Sequence, residues 1–523
     1  MDDDMSTSGF GRRDFLKRVS GVSASVLLAP AQLSVAAPRN VSSRKKPNFL
    51  VVVADDQNFR TINALNNSEV HTPTFDRLVQ RGTAFTHSFH QGSWTGALCV
   101  ASRAMIHTGR YLWNCGGNNC GYYPLLGEVF QMGGYDTYAA GKWHNGDQSA
   151  LRSFKTGKTI GPGFFASTPE DGIAYNRPRA GDDWTPWDPK YHGHWTPKDL
   201  WDIEYPVHDG DWISQNGPKP AEAGRRYQRS QHSSELYADS VIDLLRQTAS
   251  KPDRPFLLYL AWNAPHDPRQ APKEIVDMYP AEKIEVPPNF LPRHPFDQGD
   301  ANVRDEKLAP SPLTPHDVKV HRREYYAIIT HMDRQLGRII EALEKTGQGD
   351  NTYIIITGDH GLALGEHGLM GKQNLYDCSL RMPLIIGGPG ITAGRRIDAM
   401  VYQHSVFATL CDLAEIPTPA TVQFPSLLPL LHGERDRLTD SIYCAYRHFQ
   451  RMVRTEQHKL ILYPEVRKVQ LFDMANDPWE INDLAGDPSH SATITGLFRE
   501  LKKWQETVSD KLVLDPAAFG IQS

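Results

Sequence analysis

The sequence has little excess charge of either sign, no C-x-x-C pair and, past its N-terminus, no long apolar run. Each shortage removes a class of function. Lys and Arg number 56 against 61 Asp and Glu, a formal net charge of −5. Nucleic-acid surfaces carry a basic excess, so no nucleic-acid partner is expected. An anionic ligand has to be met by a local cationic pocket instead. Six cysteines without close pairing offer neither a zinc ribbon nor a redox dithiol. The missing apolar run excludes a spanning helix in the mature chain and hence stable membrane insertion.

The N-terminus is a targeting segment. "GRRDFLKRV" pairs Arg12 with Arg13, and "VSASVLLAPAQLSVAA" follows, ending in small residues near Ala36 and Ala37. That order is the twin-arginine pattern of bacterial export. Residues 1–37 are therefore read as a signal peptide, with the twin-arginine translocase as a partner and a periplasmic or secreted destination. In that compartment Cys115 and Cys120, which flank "GGNN", form either a local disulfide or two free thiols.

A chain of 523 residues accommodates one large domain and a smaller one. "NFLVVVADD", "YDTYAAGKWH", "PFLLYLAWNAPHDP", "NTYIIITGDH" and "RMPLIIGGPG" are continuously apolar, as in parallel strands buried on both faces. "TPTFDRLVQRG", "SSELYADSVIDLLRQTA" and "HRREYYAIITHMDRQLGRIIEALEKTG" have helical spacing between them. The alternation predicts an α/β sandwich, in which ligands collect beyond the carboxyl ends of the strands. Asp55 and Asp56, Lys142 and His144, His266, and Asp359 and His360 stand at four such ends.

From about residue 437 the pattern changes to short antiparallel strands and a closing amphipathic helix, "SATITGLFRELKKWQETV", so 437–523 is read as a C-terminal subdomain and 38–436 as the catalytic domain. Arg447 and His448 in that part either touch substrate or cap strands, and each alone is read as a cap. A Trp- and Pro-rich insert covers about 161–224. Its Trp184, Trp187, Trp195 and Trp201 offer a stacking platform for sugar rings, although any one of them is more readily a packed loop residue.

Asp55, Asp56 and Asp359 supply hard oxygen ligands suited to calcium or magnesium. By chemistry alone, His360 belongs behind such a ligand set. If a helix begins at Cys99, Arg103 lies one turn on, and the helix start favours an anion. Arg103, Lys142 and Lys372 add cations; His144 and His266 add proton-transfer groups. Together they describe a site for a tetrahedral oxyanion ester, sulfate or phosphate.

"ALCVASRAMIHTGR" resembles the type I sulfatase signature C-x-P-S-R-x-x-x-x-T-G-R, and "AAGKWHNG" resembles the second, G-K-W-H-x-G. "VVVADDQ", "APHDP", "TGDHGLALGEHGLMGKQNLYD" and "SLLPLL" follow in the family's order. The resemblance implies an alkaline phosphatase-like sandwich: a large mixed, mostly parallel sheet flanked by helices, with a short antiparallel sheet and a helix in the C-terminal subdomain. It implies that Cys99 is oxidised to Cα-formylglycine by dedicated formylglycine-generating machinery. It also implies one calcium ion held by Asp55, Asp56, Asp359 and His360, with residue 99 completing the shell. Arg103 and Lys142 then stabilise the aldehyde hydrate, His144 takes its proton, and His266 and Lys372 hold the sulfate. The activity implied is hydrolysis of a sulfated sugar or polysaccharide.

One position departs from the signature. Ala101 replaces the proline that the modifying machinery reads. Conversion of Cys99 is still expected, because every other site position is filled. Two other functions fit the same residues: a phosphodiesterase or phosphonate monoester hydrolase, and an unmodified chain that binds sulfated glycan.

Overall fold

The strand β1 (Asn48–Ala54) is buried along its whole length, and its two faces enter different cores. Phe49, Val51 and Val53 pack with Phe130, Tyr135 and Tyr259. Leu50, Val52 and Ala54 pack with Phe75, Val241 and Ile328. A strand covered on both sides has no polar face to show, which is why its sequence does not alternate. The computed structural model describes residues 45–163, 185–204, 225–300 and 303–522. Lys46–Ser523 form one compact unit. The signal segment 1–37, Trp184 and most of the insert lie outside the described residues.

The other strands are β2 (Thr83–Phe89), β3 (Gly92–Ser93), β4 (Asp136–Lys142), β5 (Thr156–Gly161), β6 (Trp201–Glu204) and β7 (Phe256–Ala261). Then come β8 (Thr352–Gly358), β9 (Arg381–Gly387), β10 (Arg395–Tyr402), β11 (Ile442–Tyr446), β12 (Gln450–Arg454), β13 (His458–Tyr463) and β14 (Lys468–Asp473). Nine build the main sheet, in the order β10-β2-β9-β8-β1-β7-β4-β5-β6. Its centre, β8-β1-β7-β4, is parallel throughout. Register aligns the ends: Ala54 pairs with Gly358, and Val53 and Gly141 both pair with Ala261. The polar residues that follow these strands therefore emerge along one edge.

The run "RMPLIIGGPG" is β9 and is as buried as expected, but it is antiparallel to both neighbours. Burial on both faces produces a continuous apolar run whatever the strand direction. The carboxyl end of β9 thus points away from the site.

Six helices matter here: α1 (Pro73–Arg81), α2 (Leu98–Thr108), α3 (Ser233–Ala249), α4 (Pro315–Lys345), α5 (Val406–Leu413) and α6 (Ser491–Thr507). α1, α3 and α4 cover one face of the main sheet. α4 begins at Pro315, a turn and a half before the run that predicts it. Thr314 and Asp317 form a reciprocal cap, the hydroxyl accepting from Asp317 N at 3.2 Å and the carboxylate from Thr314 N at 2.9 Å.

The second sheet, β14-β13-β12-β11-β3, is antiparallel except that β3 joins β11 in parallel. It carries α6 and occupies the stretch 437–523 apart from β3. Between the sheets lies α2, with every residue buried. Ile106 packs with the main-sheet core, while Leu98, Ala101, Ala104 and Met105 pack with Tyr443, Tyr446 and Met452. No helix among the described residues is long and apolar enough to cross a membrane.

Candidate active site

Two main-chain bonds bring the strand ends together. Asp55 N donates to Ala264 O at 3.1 Å, and Asp359 N donates to Ala54 O at 2.9 Å. The first draws the β7 loop, which carries His266, to β1; the second holds the end of β8 against β1. Asp359 then organises its neighbours. Its Oδ1 accepts from Asp56 N at 3.1 Å and His360 N at 2.9 Å, and its Oδ2 accepts from Arg103 Nε at 3.0 Å.

Asp55, Cys99, Asp359 and His360 place their ligand atoms within 4.8 Å of one another, all buried. Asp56 falls in an adjoining group with His266 and Asp267. Its Oδ1 nevertheless lies 3.3 Å from His360 Nδ1. Asp56 holds a positive φ of 68°, a backbone that few non-glycine residues adopt outside functional sites and turns.

Each carboxylate faces a cation. Lys142 Nζ donates to Asp55 Oδ2, and Lys372 Nζ donates to Asp56 Oδ1 at 2.7 Å. Burial alone would raise the Asp55 carboxyl, but Lys142, His266 and Arg103 together outweigh it and hold the group below its usual range. At Asp56 burial wins over Lys372 and pushes the carboxyl up to about 8. Burial opposes ionisation of Asp359 too, yet His360, Arg103 and Lys142 keep it low.

Asp55 Oδ1, Asp56 Oδ2 and His360 Nε2 are buried and make no hydrogen bond. Bare buried carboxylate oxygens are costly unless something charged satisfies them. Two such oxygens beside a bare imidazole nitrogen match the donor set of a hard divalent cation. The residues fit calcium.

Cys99 is fully buried in the first turn of α2, where no side chain caps the helix. Its Sγ lies 3.3 Å from His144 Nδ1. Burial and then Lys142 lower the His144 pKa to about 3, so the ring is neutral and able to accept a proton. Arg103 follows one turn on as expected, with Nη1 and Nη2 making no hydrogen bond. Burial, reinforced by Lys372, holds His266 well below its usual value. All ten residues singled out from the sequence are thus in one buried neighbourhood.

Sequence reading missed the support beneath them. Ser102 Oγ donates to Asp359 O at 2.6 Å, and Gln403 Nε2 donates to both Asp359 O (2.8 Å) and Ser102 Oγ (2.7 Å). Ser102 stands inside the quoted signature, where its small hydroxyl carries no separate signal; Gln403 follows the strand β10 and carries no local signal either. On the other side Arg304 pairs with Asp267 and Asp305.

The sugar platform is corrected in part. Trp201 is buried in the main-sheet core, and Trp195 packs edge-on to His232 at 4.9 Å and donates to Pro186 O. Trp187 packs against the cluster that contains Ile275 and Tyr326. These three serve the body of the protein. Cys115 and Cys120 are free buried thiols, and burial pushes the Cys115 thiol up to about 12.

Comparison with known proteins gives two family matches. A family model described as Sulfatase matches residues 47–416, and one described as N-sulphoglucosamine sulphohydrolase, C-terminal, matches residues 365–507. An N-acetylglucosamine-6-O-sulfatase of Bacteroides thetaiotaomicron is 27% identical over 93% of this chain and 91% of its own. Among solved structures, that of BT4656 in complex with its substrate D-glucosamine-2-N,6-O-disulfate superposes with a TM-score of 0.68. It is 22% identical and covers 89% of this chain and 99% of its own. A phosphonate monoester hydrolase of Agrobacterium radiobacter also superposes with a TM-score of 0.68, at 22% identity, over 90% and 97% of the two chains. These likenesses bear out the alkaline phosphatase-like sandwich.

Proposed function

This chain belongs to the sulfatase family and is a sulfatase, and from that premise we propose that it removes sulfate from a sulfated carbohydrate, using a formylglycine made from Cys99 and a bound calcium ion. The observation that carries the reading is the position of Cys99. Its sulfur lies in an uncapped helical first turn, 3.3 Å from a neutral histidine and grouped with Asp55, Asp359 and His360. Inert buried thiols do not need that company.

Oxidised to Cα-formylglycine, residue 99 would supply an aldehyde hydrate: one hydroxyl to attack sulfur, the other to expel sulfate as the aldehyde reforms. Calcium, held by Asp55, Asp56, Asp359, His360 and residue 99, would supply positive charge to the sulfuryl oxygens and to the attacking oxygen. The chain's own groups do the rest. His144, beside residue 99, accepts the proton of the attacking hydroxyl. Arg103 and Lys142 balance the charge that develops there. Lys372, which donates to Asp56 Oδ1, and His266, whose Nε2 lies 3.8 Å from Asp56 Oδ2, take the remaining sulfuryl oxygens. His266 is neutral at rest because burial and Lys372 keep it so; an anionic ester beside it favours its protonation and its role as acid to the leaving alcohol.

The carbohydrate part rests on the relative that is an N-acetylglucosamine-6-O-sulfatase and on the export signal read in residues 1–37. The same reading places the protein in the periplasm or outside the cell. The test is release of inorganic sulfate from 4-nitrophenyl sulfate and from N-acetylglucosamine 6-sulfate, with the mass of the peptide around residue 99 measured on the same preparation. A second reading, hydrolysis of phosphonate monoesters or phosphodiesters, is favoured by the structural neighbour of that activity. Parallel kcat/KM values for an aryl sulfate and an aryl phosphonate separate the two.

A further inference from the structure

The turn between β11 and β12, Arg447–Phe449, is fastened to the chain just ahead of Cys99. Arg447 N donates to Ser93 O at 2.7 Å. A Cβ on Gly96 would lie 3.8 Å from Tyr446 Oη. Gly96 O accepts from Gln373 Nε2 at 3.1 Å, and Gln373 Oε1 accepts from Lys372 N at 3.0 Å. Gln450 Nε2, at the start of β12, donates to Gln373 O at 3.2 Å. The second sheet therefore forms a wall next to Lys372, on the rim of the site.

Arg447 stands on that wall in a conformation that its own side chain does not favour, with φ at +44°. A non-glycine residue keeps such a backbone only where its surroundings impose it, and such positions gather at functional sites. Its guanidinium rests on the Phe449 ring at 4.8 Å and spends a single nitrogen on Asp300: Nη1 donates to Oδ2 at 3.1 Å. Asp300 Oδ2 also accepts from Tyr446 Oη at 2.5 Å, so that oxygen is shared. The Tyr446 hydroxyl adjoins the same guanidinium, and the side chain is still 36% exposed. A planar fork held by Asp300, Tyr446 and the Phe449 ring, with donors to spare and a third of its surface open, suits an oxyanion. His448, its neighbour, is turned away to Glu465 at 2.9 Å.

We propose that Arg447 binds a second oxyanion of the substrate, a sulfate or carboxylate on the same or the adjoining sugar, next to the sulfate that is cleaved. The proposal rests on the sulfated-carbohydrate reading and selects within it: the preferred substrate carries at least two negative groups. Arg447 is then a specificity residue and takes no part in bond breaking.

Binding is measured by calorimetry in full-length Cys99→Ala protein, where turnover does not interfere. The probes are N-acetylglucosamine 6-sulfate, with one anionic group, glucosamine 2-N,6-O-disulfate, with two sulfates, and a Δ4,5-unsaturated hexuronate 2-sulfate, with a sulfate and a carboxylate. At least one dianionic sugar binds roughly tenfold more tightly than the monosulfate, the size expected for one charge-assisted contact. Which of the two does so identifies the second group. Arg447→Ala abolishes the preference and Arg447→Lys retains part of it. Arg447→Gln keeps a donor for Asp300, and so separates loss of charge from loosening of the turn. Equal affinity for all three sugars, or a preference that survives Arg447→Ala and Arg447→Gln, overturns the proposal. Absence of sulfate release by the unmutated protein would instead count against the activity on which it rests.

Discussion

The hydroxyl of Ser102 donates to the main-chain carbonyl of Asp359 at 2.6 Å, across 257 positions of sequence. This bond ties the helix that presents residue 99 to the strand that presents a carboxylate. Gln403 spans both partners, and its own Oε1 accepts from Thr357 Oγ1 at 3.1 Å.

Removing Gln403 should loosen the ion rather than the fold. Gln403→Ala is expected to weaken calcium retention by ~10–100-fold, the range seen when support behind metal ligands is lost. A calcium titration of the chelator-treated variant, read by recovered sulfatase activity, measures this. Unchanged half-saturation would show that Asp359 is held adequately without it.

Cys99→Ala should lower sulfate release by ~10³-fold or more, as losing a nucleophile does elsewhere. The unmutated protein should show the peptide around residue 99 lighter by roughly 18 Da, the change from thiol to aldehyde. A preparation with full activity and an unaltered thiol mass would remove residue 99 from the mechanism.

Chelation should destabilise the protein as well as silence it. A ligand present at ~100 times its Kd adds about 2.7 kcal/mol to the folded state. Thermal unfolding with excess EGTA should therefore begin at lower temperature, and added calcium should restore it. Identical melting curves would argue against an ion at the carboxylates.

Far from the chemistry, Asp377 should set the acid limit of stability. It accepts from Arg454 Nη1 and from Lys459 Nζ at 2.9 Å, while Lys459 also reaches Glu480 at 2.6 Å, all of them buried. Burial would raise its carboxyl, but Arg454, Lys459 and Arg381 outweigh that and hold it well below the usual range. A carboxyl whose folded pKa is depressed contributes stability above its unfolded value of about 4 and loses it as pH falls. Asp377→Asn should cost ~3–5 kcal/mol at neutral pH, because it strips buried cations of a partner. It should also flatten the loss of stability below about pH 4. Parallel urea titrations at neutral pH, at about pH 4 and at about pH 2.5 test both statements.

The central strands were readable because each buries both faces, so apolar runs marked them without ambiguity. β9 kept that signature while running the opposite way, since burial is indifferent to direction. The apolar pattern of α4 marks its body and not its start, which the T-P-H-D cap sets a turn and a half earlier. The Trp-rich segment misled in the other direction: Trp201 is as apolar as a ring-stacking residue should be, and the core uses it.

Sequence by itself determined the chemical inventory: the thiol, the carboxylate pairs, the lysines and histidines, and their stations at strand ends. Those are local facts, because a motif is a few consecutive residues under one constraint. Only the folded chain decided who stands behind and beside them. Gln403 beneath Asp359, and Arg447 on the wall beside Lys372, are hundreds or tens of residues from their partners. Nothing local marks Gln403, and Arg447 reads locally as a strand cap, since their surroundings are made by sheet order and by the seating of α2 between two sheets.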